Sequence, residues 1–291
     1  MKIYYGLHNL IDVTSICMTQ LMNNNIITIP YGDGNRSKYF TDPLPGIHKK
    51  IVIEHNGISY YDEYIKIVIN IDTNVITKTN QEIQSILVDK QSTLSINHGN
   101  FNEELPEQKM AVRYLTGNEK VLEIGGNIGR NSLIIASMLN HTDFVSLESN
   151  PIIATQLIEN RDLNHLQFHI ENSALSTRKL IQKHWDTKPS NVLEPGYNWV
   201  KTITLQQLNE KYNIVFDTLI LDCEGAFYYI LMDMPEILTN IKLIIMENDY
   251  RDISHKKYID NVLQKNKFNV EYSEQGGWGP CSYNFFEVWK R

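Results

Sequence analysis

The chain has 291 residues, of which 42% are hydrophobic and 21% are charged. This composition supports one large folded domain or two ordinary ones, and it excludes a chain that is disordered throughout. Lysine and arginine together number 27 against 34 aspartates and glutamates, so the formal net charge is -7. A general nucleic-acid binder needs a basic surface, and nucleic acid is therefore disfavoured as a partner.

The cysteines and the first residues bear on the compartment. Three cysteines are too few for a disulfide framework, and no Cys-x-x-Cys pair is present, so we expect a reducing compartment and a cytoplasmic location. Polar residues interrupt the first 15 residues, which lack the apolar run of a signal peptide. No apolar stretch approaches the roughly 18 residues of a membrane-spanning helix, so no membrane partner is expected.

Residues 1–80 have the pattern of a small β domain. Short β-branched or aromatic runs predict strands at 1–5, 25–30 and 64–71, and the Asn56-Gly57 pair predicts a hairpin turn between two further strands. Residues 32–49 are dense in Gly, Pro, Asp and Asn, which predicts a long loop. Because no helical periodicity separates the strands, we expect an antiparallel arrangement.

Residues 81–291 alternate between apolar strands and helical segments. Such alternation predicts an α/β domain whose mostly parallel sheet is covered on both faces. The last two strands are joined by a glycine-rich loop, and this closing hairpin predicts an antiparallel edge. The predicted helices are 103–115, 131–139, 151–162, 226–232 and 255–264.

The sequence VLEIGGNIGRNS at 121–132 contains the first strand-to-helix turn of this domain. Ligands bind at such turns in doubly wound sheets, and glycines let the backbone approach them closely. Glu123 near the strand end suits a positively charged ligand, and S-adenosylmethionine (SAM) is one because it carries a sulfonium and an amino group. The alternative is a tight turn without a ligand. The candidate cofactor-binding residues here are Glu123, Gly125, Gly126, Asn127 and Gly129.

The next two strand ends also carry polar residues. Glu148 ends the second strand about 20 residues after the glycine turn, where a carboxylate can accept both ribose hydroxyls of NAD or SAM. Ser149 follows it. After the third strand, Asn172, Ser173 and the backbone of Ala174 are candidates for contact with an adenine edge. The alternative interpretation is an ordinary surface glutamate and an ordinary loop.

Carboxylates end the fourth and fifth strands. Asp222 and Glu224 are candidates for electrostatic partners of a cationic donor, a general base or metal ligands. Because adjacent parallel strands end at the same edge, Asp222, Glu247 and Asn248 together form a candidate Mg²⁺ site. Alternatively, Glu247 orients the substrate or caps a loop. His255 follows the fifth strand and is a further candidate base.

Five motifs in this order and spacing resemble the FkbM family of SAM-dependent methyltransferases. They are EIGGNIGRNS, SLESNP, NSALS, LILDCEGAFYYIL and IIMEN, and the resemblance covers about 105–291. It implies O-methylation, often of sugar or polyketide hydroxyls. The family commonly has Ala where Gly126 stands, a change we expect to be harmless, and Pro where Ser149 stands. Metal-dependent O-methyltransferases of the catechol type use a set of strand-end ligands similar to the candidate Mg²⁺ site.

These observations predict a Rossmann-like SAM-dependent methyltransferase domain at 81–291, with a mostly parallel seven-stranded sheet and an antiparallel C-terminal hairpin, preceded by a small β-rich domain at 1–80. The expected reaction is O-methylation of a sugar or glycan hydroxyl, with SAM and a candidate Mg²⁺ as cofactors. The alternatives are an N-methyltransferase on nucleic acid or protein, and a non-catalytic glycan- or partner-binding module. A homodimer is an open expectation. The candidate catalytic residues are Asp222, Glu224, Glu247 and His255.

Aromatic residues near the same edge are candidates for contact with the acceptor. An insertion at 186–199, with Trp185 beside it, lies where an acceptor pocket could form. Trp278 lies on the glycine-rich loop of the closing hairpin, where its ring either stacks on a sugar or packs within the hairpin.

Overall fold

Strands dominate the N-terminal part of the computed structural model, which describes residues 1–291. Met1–Ser85 together with Glu271–Glu274 forms one unit. Its strands are β1 (Lys2–Gly6), β2 (Leu10–Asp12), β3 (Met22–Asn23), β4 (Ile26–Ile29), β5 (Lys50–Glu54), β6 (Ile58–Tyr61), β7 (Ile67–Asn70) and β8 (Val75–Ile76). They form two four-stranded sheets in the orders β2-β1-β5-β6 and β3-β4-β7-β8, and every pair is antiparallel. The predicted β-rich character is confirmed.

Two helices interrupt this β unit, and the predicted loop at 32–49 is wrong in part. Helix α1 (Thr14–Gln20) follows β2, and helix α2 (Asp33–Phe40) lies inside the stretch expected to be a loop. The Arg36 side chain of α2 is fully buried, where it donates hydrogen bonds to the carbonyl oxygens of Pro30, Asp62 and Ile65. These tertiary contacts stabilise a helix that the local composition disfavours.

The second unit comprises Ile86–Val270 and Gln275–Arg291. We keep the division of the chain at residue 80 as a prediction. None of the helices combines the length and the apolar character needed to cross a membrane. The helices that follow the β unit in the chain are α3 (Asn80–Thr93), α4 (Leu105–Tyr114), α5 (Arg130–Met138), α6 (Pro151–Leu163), α7 (Leu205–Tyr212), α8 (Ala226–Asp233) and α9 (Ile253–Lys265), with short 3₁₀ turns at Pro235–Leu238 and Gly279–Asn284.

A seven-stranded sheet forms the centre of the second unit. The strands that follow β8 in the chain, seven of which form this sheet, are β9 (Val121–Ile124), β10 (Phe144–Leu147), β11 (His169–Glu171), β12 (Ala174–Leu175), β13 (Leu180–Lys183), β14 (Asp186–Pro189), β15 (Asn198–Val200), β16 (Thr202–Ile203), β17 (Thr218–Leu221), β18 (Leu243–Glu247), β19 (Asn269–Glu274) and β20 (Phe286–Lys290). The sheet order is β11-β10-β9-β17-β18-β20-β19. Strands β9, β10, β11, β17 and β18 are parallel, and β20 is antiparallel to β18. The predicted Rossmann-like fold, with a mostly parallel seven-stranded sheet and an antiparallel C-terminal hairpin, is confirmed.

The apolar character of the central strands follows from their position. Every residue of β9, β10 and β17 is buried, because helices cover both faces of a parallel sheet. Chain order reverses at β9: β10 lies on one side of it and β17 on the other. Ligands bind beyond the carboxyl ends of strands at such a switch point.

The insertion predicted between the third and fourth core strands forms a small sheet. Strands β13, β14 and β15 pair antiparallel in the order β14-β13-β15. Lys183 pairs with Asp186, so His184 and Trp185 form a two-residue turn, and His184 has a positive φ of 52°. A left-handed residue is typical of such tight hairpins.

Candidate active site

A cavity of about 350 Å³ lies beyond the carboxyl ends of β9, β10, β17 and β18. Its size is within the range of small-molecule sites. The predicted site residues that line it are Gly125, Asn127, Glu148, Ser149, Ser173, Ala174, Asp222, Glu224 and Glu247. The predicted residues that do not line it are Glu123, Gly126, Gly129, Asn172, Asn248 and His255.

The glycine turn after β9 brings the backbone to the cavity wall. The N–H groups of Gly125 and Gly126 both donate to the carbonyl oxygen of Leu147, at 3.0 and 2.9 Å. Gly125 has φ +95°, and a Cβ atom there would lie 1.6 Å from the carbonyl oxygen of Asp222. Only glycine fits between these two strand ends, so the turn is anchored to both neighbouring strands.

Glu123 lies beneath this turn. Its carboxylate is 2% exposed and accepts hydrogen bonds from the hydroxyls of Ser132 and Ser146. Burial raises the pKa of Glu123 to about 7, although both serines lower it. The Glu123 side chain is therefore held by Ser132 and Ser146 and does not line the cavity.

The expectation that Ala is harmless in place of Gly126 is wrong for this chain. A Cβ atom at Gly126 would lie 2.1 Å from Oγ of Ser146 and 3.0 Å from Cδ2 of Leu157. Gly129 is also closely packed, because its Cβ would lie 2.5 Å from Cδ1 of Leu157. These two glycines allow the start of α5 to pack against α6, and neither forms the cavity wall.

Glu148 lines the middle of the cavity. Its carboxylate accepts hydrogen bonds from the backbone N–H of Asn127 at 3.0 Å and of Asn150 at 2.7 Å. Burial raises its pKa, and the backbone donors oppose that shift. A carboxylate can accept about four hydrogen bonds, so the fixed carboxylate retains capacity for hydroxyl donors in the cavity.

Part of the cavity lining is apolar, beside an ion pair between Arg178 and Asp233 that also lines the cavity. Ser173 and Ala174 lie there, together with the side chains of Leu175, Ile230 and Met234. Trp185, Thr187 and Pro189 of the β13–β14 hairpin complete the wall. Asn172 does not line the cavity and instead stabilises the turn that follows β10, because its Nδ2 donates to the carbonyl oxygen of Glu148 at 2.8 Å. The apolar part of the lining suits a flat heterocycle.

Another part of the lining is acidic, and we call it the acidic end. Glu107 of α4, Asp222 and Glu247 each offer one carboxylate oxygen, and the three oxygens lie within 4.8 Å of one another. Burial raises the pKa of Asp222, and the charges of Glu104 and Glu107 add to that shift. Burial, a hydrogen bond with Glu107 and the charge of Asp222 raise the pKa of Glu247 to about 12.

Glu107 was missing from the residues singled out in the sequence. It is 6% exposed and lies on the same face of α4 as the buried Met110 and Ala111, three and four positions further along. The sequence feature that could have identified Glu107 is the presence of a glutamate on the apolar face of the helix predicted at 103–115. Its partners are more than 100 positions away in the chain, so only the tertiary fold reveals the cluster.

Asn248 and His255 lie outside the cavity, and the predicted ligand and base sets are corrected accordingly. Successive side chains of a strand point to opposite faces, and Asn248 directly follows Glu247 at the end of β18. Its Nδ2 donates to the carbonyl oxygen of Asn284 at 2.6 Å. The His255 ring stacks on Tyr228, with centroids 3.8 Å apart and planes at 5°. Trp278 also does not line the cavity.

No protein-family model matches the chain, and a search of the curated proteins finds no match. The fold resembles solved structures at low identity. An O-methyltransferase from Bacillus cereus in complex with SAH is 14% identical with a TM-score of 0.42, over 72% of this chain and 90% of that chain. Aeropyrum pernix fibrillarin with natively bound S-adenosyl-L-methionine is 9% identical with a TM-score of 0.43, over 82% and 97%. A ribosomal protein L11 methylase from Lactobacillus delbrueckii is 11% identical with a TM-score of 0.42, over 67% and 81%. These values transfer neither an activity nor a ligand to this chain.

Proposed function

We propose that this chain is a SAM-dependent O-methyltransferase of the FkbM family that acts on a sugar or glycan hydroxyl. One observation carries the proposal: a single cavity combines an apolar part of its lining, a buried Glu148 with spare acceptor capacity, and an acidic end. SAM has a heterocycle, a ribose with two hydroxyls and a cationic amino-acid portion in that order. The apolar lining, Glu148 and the acidic cluster suit these three portions in turn.

The residues of the cavity would divide the binding of SAM among them. Ser173, Ala174 and the apolar wall would hold the adenine, and Glu148 would accept the ribose hydroxyls. The backbone at Gly125 and Asn127 lies between Glu148 and the acidic end, where it would contact the amino-acid portion. Asp222 would stabilise the positive charge at the end of that portion.

The reaction requires positioning of the acceptor and removal of its proton. When bound, SAM supplies an electrophilic methyl carbon, and its sulfur keeps the electron pair of the broken C–S bond. The acceptor oxygen forms the new C–O bond and loses its proton to a carboxylate, for which Asp222 and Glu224 are the candidates, because burial raises the pKa of both and a moderately raised pKa makes a carboxylate a better proton acceptor. Glu247, with a pKa of about 12, holds its own proton near neutral pH and is the weaker candidate.

Calorimetric titration of SAM into the full chain tests the binding part of the proposal. We expect saturable binding to the wild type and affinity reduced about tenfold or more in Glu148→Gln, because hydrogen bonds to a charged group each contribute about 1.5–3 kcal/mol. Glu159→Gln is the matched control: Glu159 lies on α6, pairs with His98 and does not line the cavity. Equal affinities in wild type and Glu148→Gln, or no binding at all, would contradict the proposal.

Radiolabelled methyl transfer tests the acceptor. We expect label on carbohydrate hydroxyls and none on RNA or protein. Label on nucleic acid or on protein nitrogen would replace the O-methyltransferase assignment by the N-methyltransferase alternative. Absence of SAM binding would favour a non-catalytic binding module instead. The homodimer and the cytoplasmic location stay predictions.

A further inference from the structure

The acidic end of the cavity contains a buried carboxylate oxygen without a partner. Oε2 of Glu107 is buried and has no hydrogen-bond partner. Its residue is 6% exposed and lines the cavity beside Asp222 and Glu247. A buried acceptor normally has a partner, because an unmade hydrogen bond costs about 1–3 kcal/mol and more for a charged group. The free oxygen therefore points to a missing ligand.

No cationic side chain of the site supplies that partner. The strongest neighbouring charges that act on Asp222 and Glu247 are all carboxylates. Arg130 is close by in the chain fold, but its guanidinium forms ion pairs with Glu103 and Glu104. Three carboxylates this close cannot all ionise unless a cation neutralises them.

We infer that Glu107, Asp222 and Glu247 bind a divalent cation that prefers oxygen ligands, such as Mg²⁺, Mn²⁺ or Ca²⁺. Their closest oxygens lie within 4.8 Å of one another. Two ligands on opposite sides of a cation are separated by about 4.2 Å for Mg²⁺ and about 4.6–5.2 Å for Ca²⁺, given their usual bond lengths. The observed spread suits three ligands around one ion.

Such a site has a chemical consequence at this position. Three protein ligands leave coordination positions open on a cation that takes six or more. All three residues line the cavity, so an acceptor hydroxyl bound in the cavity would have access to such a position. A divalent cation lowers the pKa of an oxygen bound to it. The cation site itself is independent of SAM binding and can be measured without it.

Mn²⁺ is the probe, titrated into the metal-free full chain without SAM and followed by the electron paramagnetic resonance signal of the free ion. We expect saturable binding with one site per chain, and affinity reduced at least about tenfold in Glu107→Gln, since even outer-shell changes cost about 10–100-fold. Glu103→Gln is the matched control. Glu103 lies four positions before Glu107, its carboxylate pairs with Arg130, and it does not line the cavity. Its affinity should change by less than about threefold.

Thermal unfolding separates a cation ligand from a structural residue. Mg²⁺ or Ca²⁺ should raise the Tm of the wild type, because a ligand that binds only the folded state stabilises it. The same ions should leave the Tm of Glu107→Gln unchanged. A purely structural glutamate would instead leave the Tm response of Glu107→Gln to these ions intact.

Two results would overturn the inference. One is the absence of saturable Mn²⁺ binding to the wild type, together with no Tm response to Mg²⁺ or Ca²⁺. The other is equal Mn²⁺ affinity in wild type and Glu107→Gln. If Glu107→Gln instead weakens SAM binding while no metal binds, the three carboxylates hold the organic cation, and the methyltransferase proposal survives the loss of the metal site.

Discussion

Two regions of the site differ in how their carboxylates are hydrogen-bonded. One is the glycine-turn wall, by which we mean residues 123–129 with Glu148, including those that support the cavity lining without forming it, and the other is the acidic end, formed by Glu107, Asp222 and Glu247. Glu123 and Glu148 each accept two hydrogen bonds from donors within the chain. Glu107, Asp222 and Glu247 face one another, and one oxygen of Glu107 has no partner. Glu107, Glu123 and Glu148 are buried, Asp222 and Glu247 are half-buried, and all five lie in the same unit. Full or partial burial is therefore common to both regions, and the supply of donors distinguishes them.

This difference in hydrogen-bond donors suggests a structural role for the carboxylates of the glycine-turn wall and a ligand-binding role for those of the acidic end. Donors that belong to the chain stabilise a buried carboxylate before any ligand arrives, so Glu123 and Glu148 belong to a preformed wall. Carboxylates without donors are costly until a cation arrives, so the acidic end gains most from a ligand. Changes in the wall should therefore reduce stability, whereas changes at the acidic end should mainly alter ligand affinity.

Gly125→Ala should give the largest loss of stability. Its Cβ would lie 1.6 Å from a backbone oxygen of Asp222, at φ +95°. Backbone atoms cannot rotate away as a side chain can, so we expect a loss of about 4 kcal/mol or more, or failure to fold. Urea unfolding of the purified variant measures the loss.

Gly196→Ala is the control for backbone strain alone. Gly196 has φ +79°, but the nearest atom to its Cβ is Cε of Lys183 at 3.5 Å. We expect a loss of about 1–2 kcal/mol. Similar losses in the two variants would mean that the wall is not closed by the contact between Gly125 and Asp222.

Glu123→Gln should change the pH dependence of stability. The pKa of Glu123 is about 7 in the folded chain against 4.5 ordinarily. Between these values the folded state binds the proton and the unfolded state does not, so the stability from this group is full below about pH 4.5 and is lost as pH rises through about 7. The difference in unfolding free energy between wild type and variant should fall by on the order of 3 kcal/mol across that window.

Urea unfolding at several pH values between 4.5 and 8 measures this difference, and other titrating groups cancel in it. The serines then provide a second comparison. Ser132→Ala removes one donor to Glu123, which should move the pH-dependent loss to higher pH. Parallel stability curves for wild type and Glu123→Gln would show that the pKa of Glu123 is the same in the folded and unfolded chain, and would contradict this prediction.

The sequence predicted the wall better than the acidic end, for a physical reason. Parallel strands end at one edge of a sheet, so motifs that follow β9, β10 and β17 meet there whatever their separation in the chain. This rule was enough to predict from the sequence that Gly125, Glu148 and Asp222 belong to the site. Glu107 was not, because it reaches the cavity from a helix that precedes the first core strand, and helix placement depends on tertiary packing.

Two further differences arose from side-chain direction and from remote hydrogen bonds. Asn248 follows Glu247 in the strand, and alternation turns it away from the cavity to the carbonyl oxygen of Asn284. Helix α2 formed against its composition because Arg36 finds buried carbonyl acceptors on distant segments. Strand-end position predicts which motifs meet, but side-chain direction decides which members of a motif reach the site.

Of the three substitutions Gly125→Ala, Glu123→Gln and Gly126→Ala, the last should have the smallest effect on stability. It measures how tightly the glycine-turn wall is packed. Its Cβ would lie 2.1 Å from Oγ of Ser146, a side-chain atom that can move, so we expect a loss of about 1–3 kcal/mol. Ser146→Ala removes that oxygen and one donor to Glu123. In a double-mutant cycle, the combined variant should lose about 0.5–3 kcal/mol less than the sum of the single losses. Simple additivity would place the strain at Leu157 instead, and Gly126 would then report on the contact between the turn and α6.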